Sequence, residues 1–375
     1  MATISYLTRI EFEAGALQSL QSVLDDLNIK RPLLVTDAGL VQSGIVDKVR
    51  AALGAGTSAA VFAETPPNPT EEAAEKAAAQ YRAHDCDGLI AVGGGSPIDL
   101  AKAVGILLTH KGSLARYSAI EGGVTRIKPF MPLVAVPTTA GTGSEVGRAA
   151  LITLRDGRKL GLISPHLIPS VALCDPALTL GLPAGLTAAT GMDAVSHCIE
   201  TFLSPRFNPV ADSIALDGLK RAVTNIQKAV TSGTDIAART EMMMAALQGG
   251  LTFQKGLGAI HALSHPLGAI KHASLHHGTL NAVLLPHVLD WNEPECAEKY
   301  ARLRDLLGLA GNASLSGHFR SLNAQIGMPS TLSAIGVRDT DLQHIATGAT
   351  KDHSSATNPR ATSEDEYLAL LKAAF

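Results

Sequence analysis

Residues 88–97 read Gly-Leu-Ile-Ala-Val-Gly-Gly-Gly-Ser-Pro. Five apolar positions (Gly88 to Val92) form a short run of the kind a fully buried strand makes. Three glycines follow, and Pro97 stands just inside a new helical stretch, Pro97 to Thr109. Strand, glycine turn and helix in that order bring backbone close to a ligand and aim free N–H groups at it. The fold follows from repeating this unit outward. Leu33 to Asp37, Ser58 to Phe62 and Leu133 to Pro137 are further strand-like runs. Gly44 to Leu53 and Thr70 to His84 are helical, the latter entered through Asn68-Pro69-Thr70. Strands alternating with helices predict a mainly parallel sheet covered on both faces, a Rossmann-like α/β domain.

Beyond about residue 182 the strand signals fade. Val210 to Ser232, Ile236 to Phe253, Thr279 to Trp291, Ala297 to Leu307 and Ser363 to Ala374 all carry helical periodicity. Gly181-Leu182-Pro183 is a natural break. We therefore expect a dinucleotide-binding α/β domain over 1–182 and an all-α domain over 183–375.

Composition limits the function. The 375 residues are 46% hydrophobic and 17% charged, as in a globular enzyme. Net charge is −3, from 31 basic and 34 acidic residues, so no basic excess points to nucleic acid or a membrane surface. No apolar stretch approaches the roughly 18 residues of a membrane span. Met1 to Gly15 carries Glu11 and Glu13 and lacks a signal-peptide core. Cys86, Cys174, Cys198 and Cys296 are scattered, without a CxxC pair. The expected location is the cytoplasm and the expected partner a small molecule.

Gly54-Ala55-Gly56-Thr57-Ser58-Ala59 matches GxGxxA, but it follows a helix and precedes a strand, the reverse of a dinucleotide fingerprint. Pro137-Thr138-Thr139-Ala140-Gly141-Thr142-Gly143-Ser144-Glu145 is different. It follows a strand and is rich in hydroxyls and glycine. Together with the loop at Gly93 to Ser96 it points to a nucleotide. Asp37, ending the first clear strand, suits the adenosine ribose and would repel a 2′-phosphate, which favours NAD over NADP. A helix cap is the alternative reading of Asp37.

Six of the 13 histidines fall between His261 and His287. Asp193 and His197 share a helical face at i and i+4, and His261 and His265 repeat the spacing. Carboxylate and imidazoles together suit a borderline divalent ion such as iron or zinc. Spacing alone leaves open which histidines ligate.

In order along nearly the whole chain, several motifs resemble those of the iron-containing, or group III, alcohol dehydrogenases. They are Pro67-Asn68-Pro69-Thr70, Gly93-Gly94-Gly95-Ser96 with Asp99 and Lys102, and the loop from Pro137 to Glu145. Asp175-Pro176, Leu182-Pro183, Gly191-Met192-Asp193 with His197, His261 with His265-Pro266-Leu267-Gly268, and His277-Gly278 complete the series. The resemblance implies the fold shared with dehydroquinate synthase and a site made as follows. Asp193, His197, His261 and His277 ligate the metal, with Fe2+ preferred and Zn2+ the alternative. His265 helps move protons. NAD is held by Asp37, Asn68, Gly94, Gly95, Ser96, Asp99, Thr138, Thr139, Thr142, Ser144, Lys159, Leu178 and Leu182. The stretch from His265 to His277 is about two residues longer than in the common pattern, and His276 competes with His277, which is preferred because glycine follows it.

Leu180 to Glu200, Phe253 to Gly258 and Leu275 to Val283 are similar to the branch of that family that interconverts 4-hydroxybutyrate and succinic semialdehyde. A broad short-chain alcohol, lactaldehyde or sulfoacetaldehyde substrate is the alternative. Arg148, Lys255 and Lys271 are candidates to meet a substrate carboxylate, and Phe253 to line the pocket. A metal- and NAD-dependent lyase of dehydroquinate synthase type is the rival of another class. A homodimer is expected.

Overall fold

The computed structural model describes Ile4, Tyr6 and Thr8–Phe375. Its residues divide into two units. One comprises Tyr6–Thr139 and Gly143–Leu180; the other includes Ala140–Thr142 and Gly181–Phe375.

The first unit holds the sheet. Its strands are β1 (Arg9–Phe12), β2 (Pro32–Val35), β3 (Ala60–Phe62), β4 (Gly88–Gly93), β5 (Leu133–Pro137) and β8 (Val171–Cys174), and its hairpin is β6 (Ala149–Thr153) with β7 (Lys159–Ile163). Helices α1 (Leu20–Asp26), α2 (Ala38–Gln42), α3 (Ile45–Ala51), α4 (Glu71–Ala83) and α5 (Gly95–Thr109) connect them. The sheet order is β1-β8-β5-β4-β2-β3 and every pairing in it is parallel.

Alternation explains the burial. Leu33, Val35, Leu89, Ala91, Leu133 and Ala135 face a core shared with α4 and α5. Leu34, Ile90, Val92, Val134 and Val136 face the opposite core, with Leu20, Val23, Leu24, Val46 and Val49 of α1 and α3. Both faces are covered, so these strands are apolar throughout.

The order of strand addition reverses between β2 and β4, with β3 added on one side of β2 and β4, β5 and β8 on the other. Open α/β sheets bind ligands beyond the carboxyl ends of the strands at such a reversal. Asp37 follows β2 and the glycine loop follows β4, so both candidate segments leave the sheet at that point.

Four strands are not marked by the sequence pattern: β1, β8 and the two strands of the hairpin, β6 and β7. The glycine turn is also tighter than expected. Helix α5 begins at Gly95, with Gly94 as its N-cap, so Gly95 and Ser96 form its first turn. Gly93 has φ +149°, and a Cβ there would lie 2.5 Å from Pro97 Cγ. Glycine is therefore required by both backbone and space.

The second unit is helical: α6 (Ala184–Leu203), α7 (Pro209–Thr231), α8 (Ile236–Leu251), α9 (Ala259–Leu267), α10 (His277–Asn292), α11 (Ala297–Leu307), α12 (Leu315–Gln325), α13 (Leu342–Lys351) and α14 (Glu364–Ala373). From Thr187 to Leu203 every residue of α6 is buried, which makes it the central helix. It packs on α7, α8 and α10. Ala140–Thr142 belongs here because Gly141 sits against α6, where an added Cβ would lie 2.6 Å from Thr190 O. No described helix is long and apolar enough to cross a membrane.

Candidate metal centre

Three helices supply four potential ligands. Asp193 and His197 stand one turn apart on α6, His261 lies on α9, and His277 is the first residue of α10. Their ligand atoms all lie within 4.8 Å of one another. Asp193 Oδ1 is the shared corner, 3.4 Å from His197 Nε2, 3.7 Å from His261 Nε2 and 3.6 Å from His277 Nε2. Four ligands held at about 2.1 Å in a tetrahedron stand about 3.4 Å apart, so this donor set fits a divalent ion in both chemistry and spacing.

Helix packing brings His277 to the cluster. Gly278 follows it, and a Cβ at that position would lie 2.0 Å from Ala189 O on α6. A residue without a side chain is needed for α10 to approach so closely. His276, the N-cap of α10, is exposed and outside the cluster. Residues 268–276 form the loop that joins α9 to α10.

Outer partners fix the rings. His197 Nδ1 lies 3.2 Å from Gly141 O, and His261 Nδ1 lies 2.5 Å from Glu200 Oε2. Each carbonyl or carboxylate accepts the Nδ1–H, which leaves Nε2 as the donor atom facing the cluster. Glu200 also accepts the Ile260 amide at 2.7 Å, so one carboxylate orients both His261 and the start of α9. It lies one turn beyond His197 on the same helix and was not among the sequence candidates.

Electrostatics match this arrangement. Burial opposes charge on Asp193, but the imidazoles of His197, His277 and His261 outweigh it and hold the carboxyl far below the usual range. Burial, opposed by Asp193, pushes His197 down to about 4. For His261 burial is outweighed by Glu200 and Asp193, and its pKa rises to about 9. A cation ligated by His261 Nε2 would have to displace a proton from that imidazole.

His265 is on the same face of α9, its ring centroid 5.7 Å from that of His261 and 5.6 Å from that of His277. Its Nδ1 lies 2.8 Å from Asp352 Oδ2, at the end of α13. His353 stacks on His265 at 5.6 Å. Phe253 meets His197 edge to face at 4.7 Å.

Of the expected substrate cations, Lys255 is buried in an ion pair with Asp212 and also donates to Phe202 O. Its charge answers Asp212 and the end of α6. Lys271 is exposed in the loop 268–276, and Arg148 is half-buried just before β6.

In the sheet unit, Gly93 pairs with Pro137 across β4 and β5, and Thr138 N donates to Gly93 O at 3.0 Å. The two loops therefore start side by side. Thr139 Oγ1 lies 3.1 Å from a Cβ built on Gly94. Lys159 Nζ donates to Asn68 Oδ1 at 2.9 Å, which joins two more expected cofactor residues. Ser96 Oγ donates to Pro67 O.

Asp99 and Ser144 have an internal role. Ser144 Oγ donates to Asp99 Oδ1 at 2.6 Å, and Leu151 N to Asp99 Oδ2 at 2.9 Å. Fully buried Lys102 reaches Ser144 O, Ser144 Oγ, Gly147 O and Ala149 O within 2.9 Å. These side chains fasten the second loop to α5. Asp37 caps α2 through Leu40 N at 2.9 Å, which uses one of its two oxygens. Leu178 is buried in the core, and Leu182 O accepts from Arg239 at 3.2 Å. Thr142 falls in the segment grouped with the helical unit.

Comparison with known proteins gives concordant results. Residues 8–176 match the family described as iron-containing alcohol dehydrogenase, and residues 187–375 match its C-terminal region. The chain is 52% identical to a 4-hydroxybutyrate dehydrogenase of Cupriavidus necator over 99% of both chains. A crystal structure of a 1,3-propanediol oxidoreductase superposes with TM-score 0.93 at 37% identity, covering 100% of each chain. A sulfoacetaldehyde reductase from Bifidobacterium kashiwanohense, solved in complex with NAD+, superposes with TM-score 0.89 at 26% identity, over 100% of this chain and 98% of that one.

Proposed function

The chain belongs to the iron-containing alcohol dehydrogenase family, and from that premise we propose that it interconverts 4-hydroxybutyrate and succinic semialdehyde with NAD(H). The observation that carries the reading is one carboxylate oxygen and three imidazole nitrogens gathered on α6, α9 and α10, beside a fourth histidine held by a carboxylate. The substrate rests on the 52% identity to the Cupriavidus necator enzyme.

In this reading Asp193, His197, His261 and His277 hold one divalent ion, with Fe2+ preferred over Zn2+ on the family's chemistry. Such an ion supplies Lewis acidity to an alcohol or aldehyde oxygen, and NAD supplies the hydride acceptor. The protein's residues do the rest. Gly141 O and Glu200 hold two imidazoles in the ligating tautomer. Asp352 accepts Nδ1–H of His265, which leaves His265 Nε2 to take up or return the hydroxyl proton. Phe253, against His197, keeps water from that side of the cluster.

The α/β unit is assigned the dinucleotide. Its loop at Gly94 to Ser96 is assigned the pyrophosphate, Thr138 and Thr139 the nicotinamide side, and Asp37 the ribose through its second oxygen. The helical unit, taken from residue 183, is assigned the metal and substrate. A cytoplasmic homodimer completes the reading; four free cysteines accord with a reducing compartment.

Protein purified without air and reconstituted with Fe2+ or Zn2+ is assayed for NADH consumption with succinic semialdehyde, butanal, lactaldehyde and sulfoacetaldehyde. Succinic semialdehyde should give the highest kcat/KM. Equal values for butanal would refute the carboxylated substrate. Phosphate release from a lyase substrate without net NADH change would refute the oxidoreductase.

A further inference from the structure

His277 and Asn281 form a third i, i+4 pair at the metal centre, after Asp193 with His197 and His261 with His265. Asn281 is fully buried. Its Nδ2 lies 2.7 Å from Asp193 Oδ1, and 3.2 Å from both His261 Nε2 and His277 Nε2. The amide therefore touches three of the four candidate ligand atoms. Its carbonyl oxygen, also buried, has no hydrogen-bond partner among the described residues. All of its hydrogen bonds are thus made to ligand atoms.

A buried amide with an unsatisfied carbonyl is a poor way to fill core space, and such exceptions ask for a functional reason. We propose that Asn281 is a positioning residue of the metal centre, resting on the metal reading of the four-residue cluster. Its N–H holds Asp193 Oδ1 at the corner that the three imidazoles face. A carboxylate oxygen has more than one lone pair, so it can accept this bond and still ligate a cation. The N–H thereby restrains the carboxylate in one orientation, and hydrogen bonds to ligating carboxylates tune the metal. Asn281 sits one turn beyond His277, so the same helix delivers a ligand and the group that orients another.

The test uses full-length protein and Co2+ as the probe. Asn281→Ala and the bulkier, non-bonding Asn281→Leu are compared with wild type. Co2+ affinity is measured by competition with a chromogenic chelator, and ligand geometry by the visible Co2+ absorption. Circular dichroism and gel filtration report folding. Loss of the N–H should weaken Co2+ binding about 10- to 100-fold and change the absorption bands in both variants, with fold retained. Affinity within twofold of wild type and unchanged bands would overturn the proposal. Failure of both variants to fold would also overturn it, because Asn281 would then be a structural residue. A wild-type protein that binds no Co2+ at all would instead refute the metal reading beneath it.

Discussion

Asp352 Oδ2 lies 2.8 Å from Nδ1 of His265, joining the end of α13 to the face of α9 that carries His261. Burial works against charge on Asp352, but the His265 imidazole outweighs it and keeps the carboxyl well below the usual range. A permanent acceptor at Nδ1 fixes the tautomer of His265. Asp352→Asn presents an amide that can donate there instead. We expect kcat to fall about 10- to 100-fold with KM and bound metal little changed. Steady-state kinetics and metal analysis check this; unchanged kcat would remove His265 from proton transfer.

Glu200 serves two donors, His261 Nδ1–H and the Ile260 amide. Glutamine keeps the shape but has one carbonyl oxygen for both. Glu200→Gln should reduce metal affinity about 10- to 100-fold, as other outer-partner losses do. Chelator competition reads the change, and a variant with wild-type affinity would show that packing alone orients His261.

Much of this site was legible in the sequence. The i, i+4 pairs stand out because helical spacing is local, and Gly278 marks His277 because a close helix contact demands glycine. Glu200, Asn281 and Asp352 were hidden for a common reason. A lone carboxylate or amide in a helical stretch looks like any solvated residue, and its meaning comes from a partner 61, 88 or 87 positions away. In the fold, the apolar strands β2, β4 and β5 were plain. β1 and β8 were missed: β1 (Arg9–Phe12) is charged at alternate positions, and β8 (Val171–Cys174) is only four residues long.

Lys255 has a partner that its place in the sequence did not reveal. Its place beside Phe253 suggested a substrate cation, whereas its ammonium is buried against Asp212. Lys255→Ala should therefore leave the preference for 4-hydroxybutyrate over n-butanol intact. It should lower stability by roughly 2–3 kcal/mol, because Asp212 loses its partner. Denaturant unfolding and a two-substrate assay separate these effects; lost preference with unchanged stability would reinstate Lys255 as a substrate contact.

Glu145 gives a pH dependence of opposite sign to most carboxylates. Burial, eased only partly by its own backbone amide and Lys102, raises its pKa from 4.5 to about 7. The folded protein thus favours the neutral acid. The associated stability is full below 4.5, fades as pH rises toward 7, and is absent above it. Glu145→Gln should flatten this decline and unfold a few degrees higher than wild type at pH 8. Parallel melting curves at pH 5 and pH 8 would refute the burial argument.

The most direct test of the central claim is a metal titration read by turnover. Metal-free protein receives Fe2+ in steps, and NADH formation from 4-hydroxybutyrate and NAD+ is followed at each addition. Activity should rise linearly from near zero and break at one ion per chain, and His261→Ala should show neither binding nor turnover. A rate that is already full before any metal is added would contradict the account.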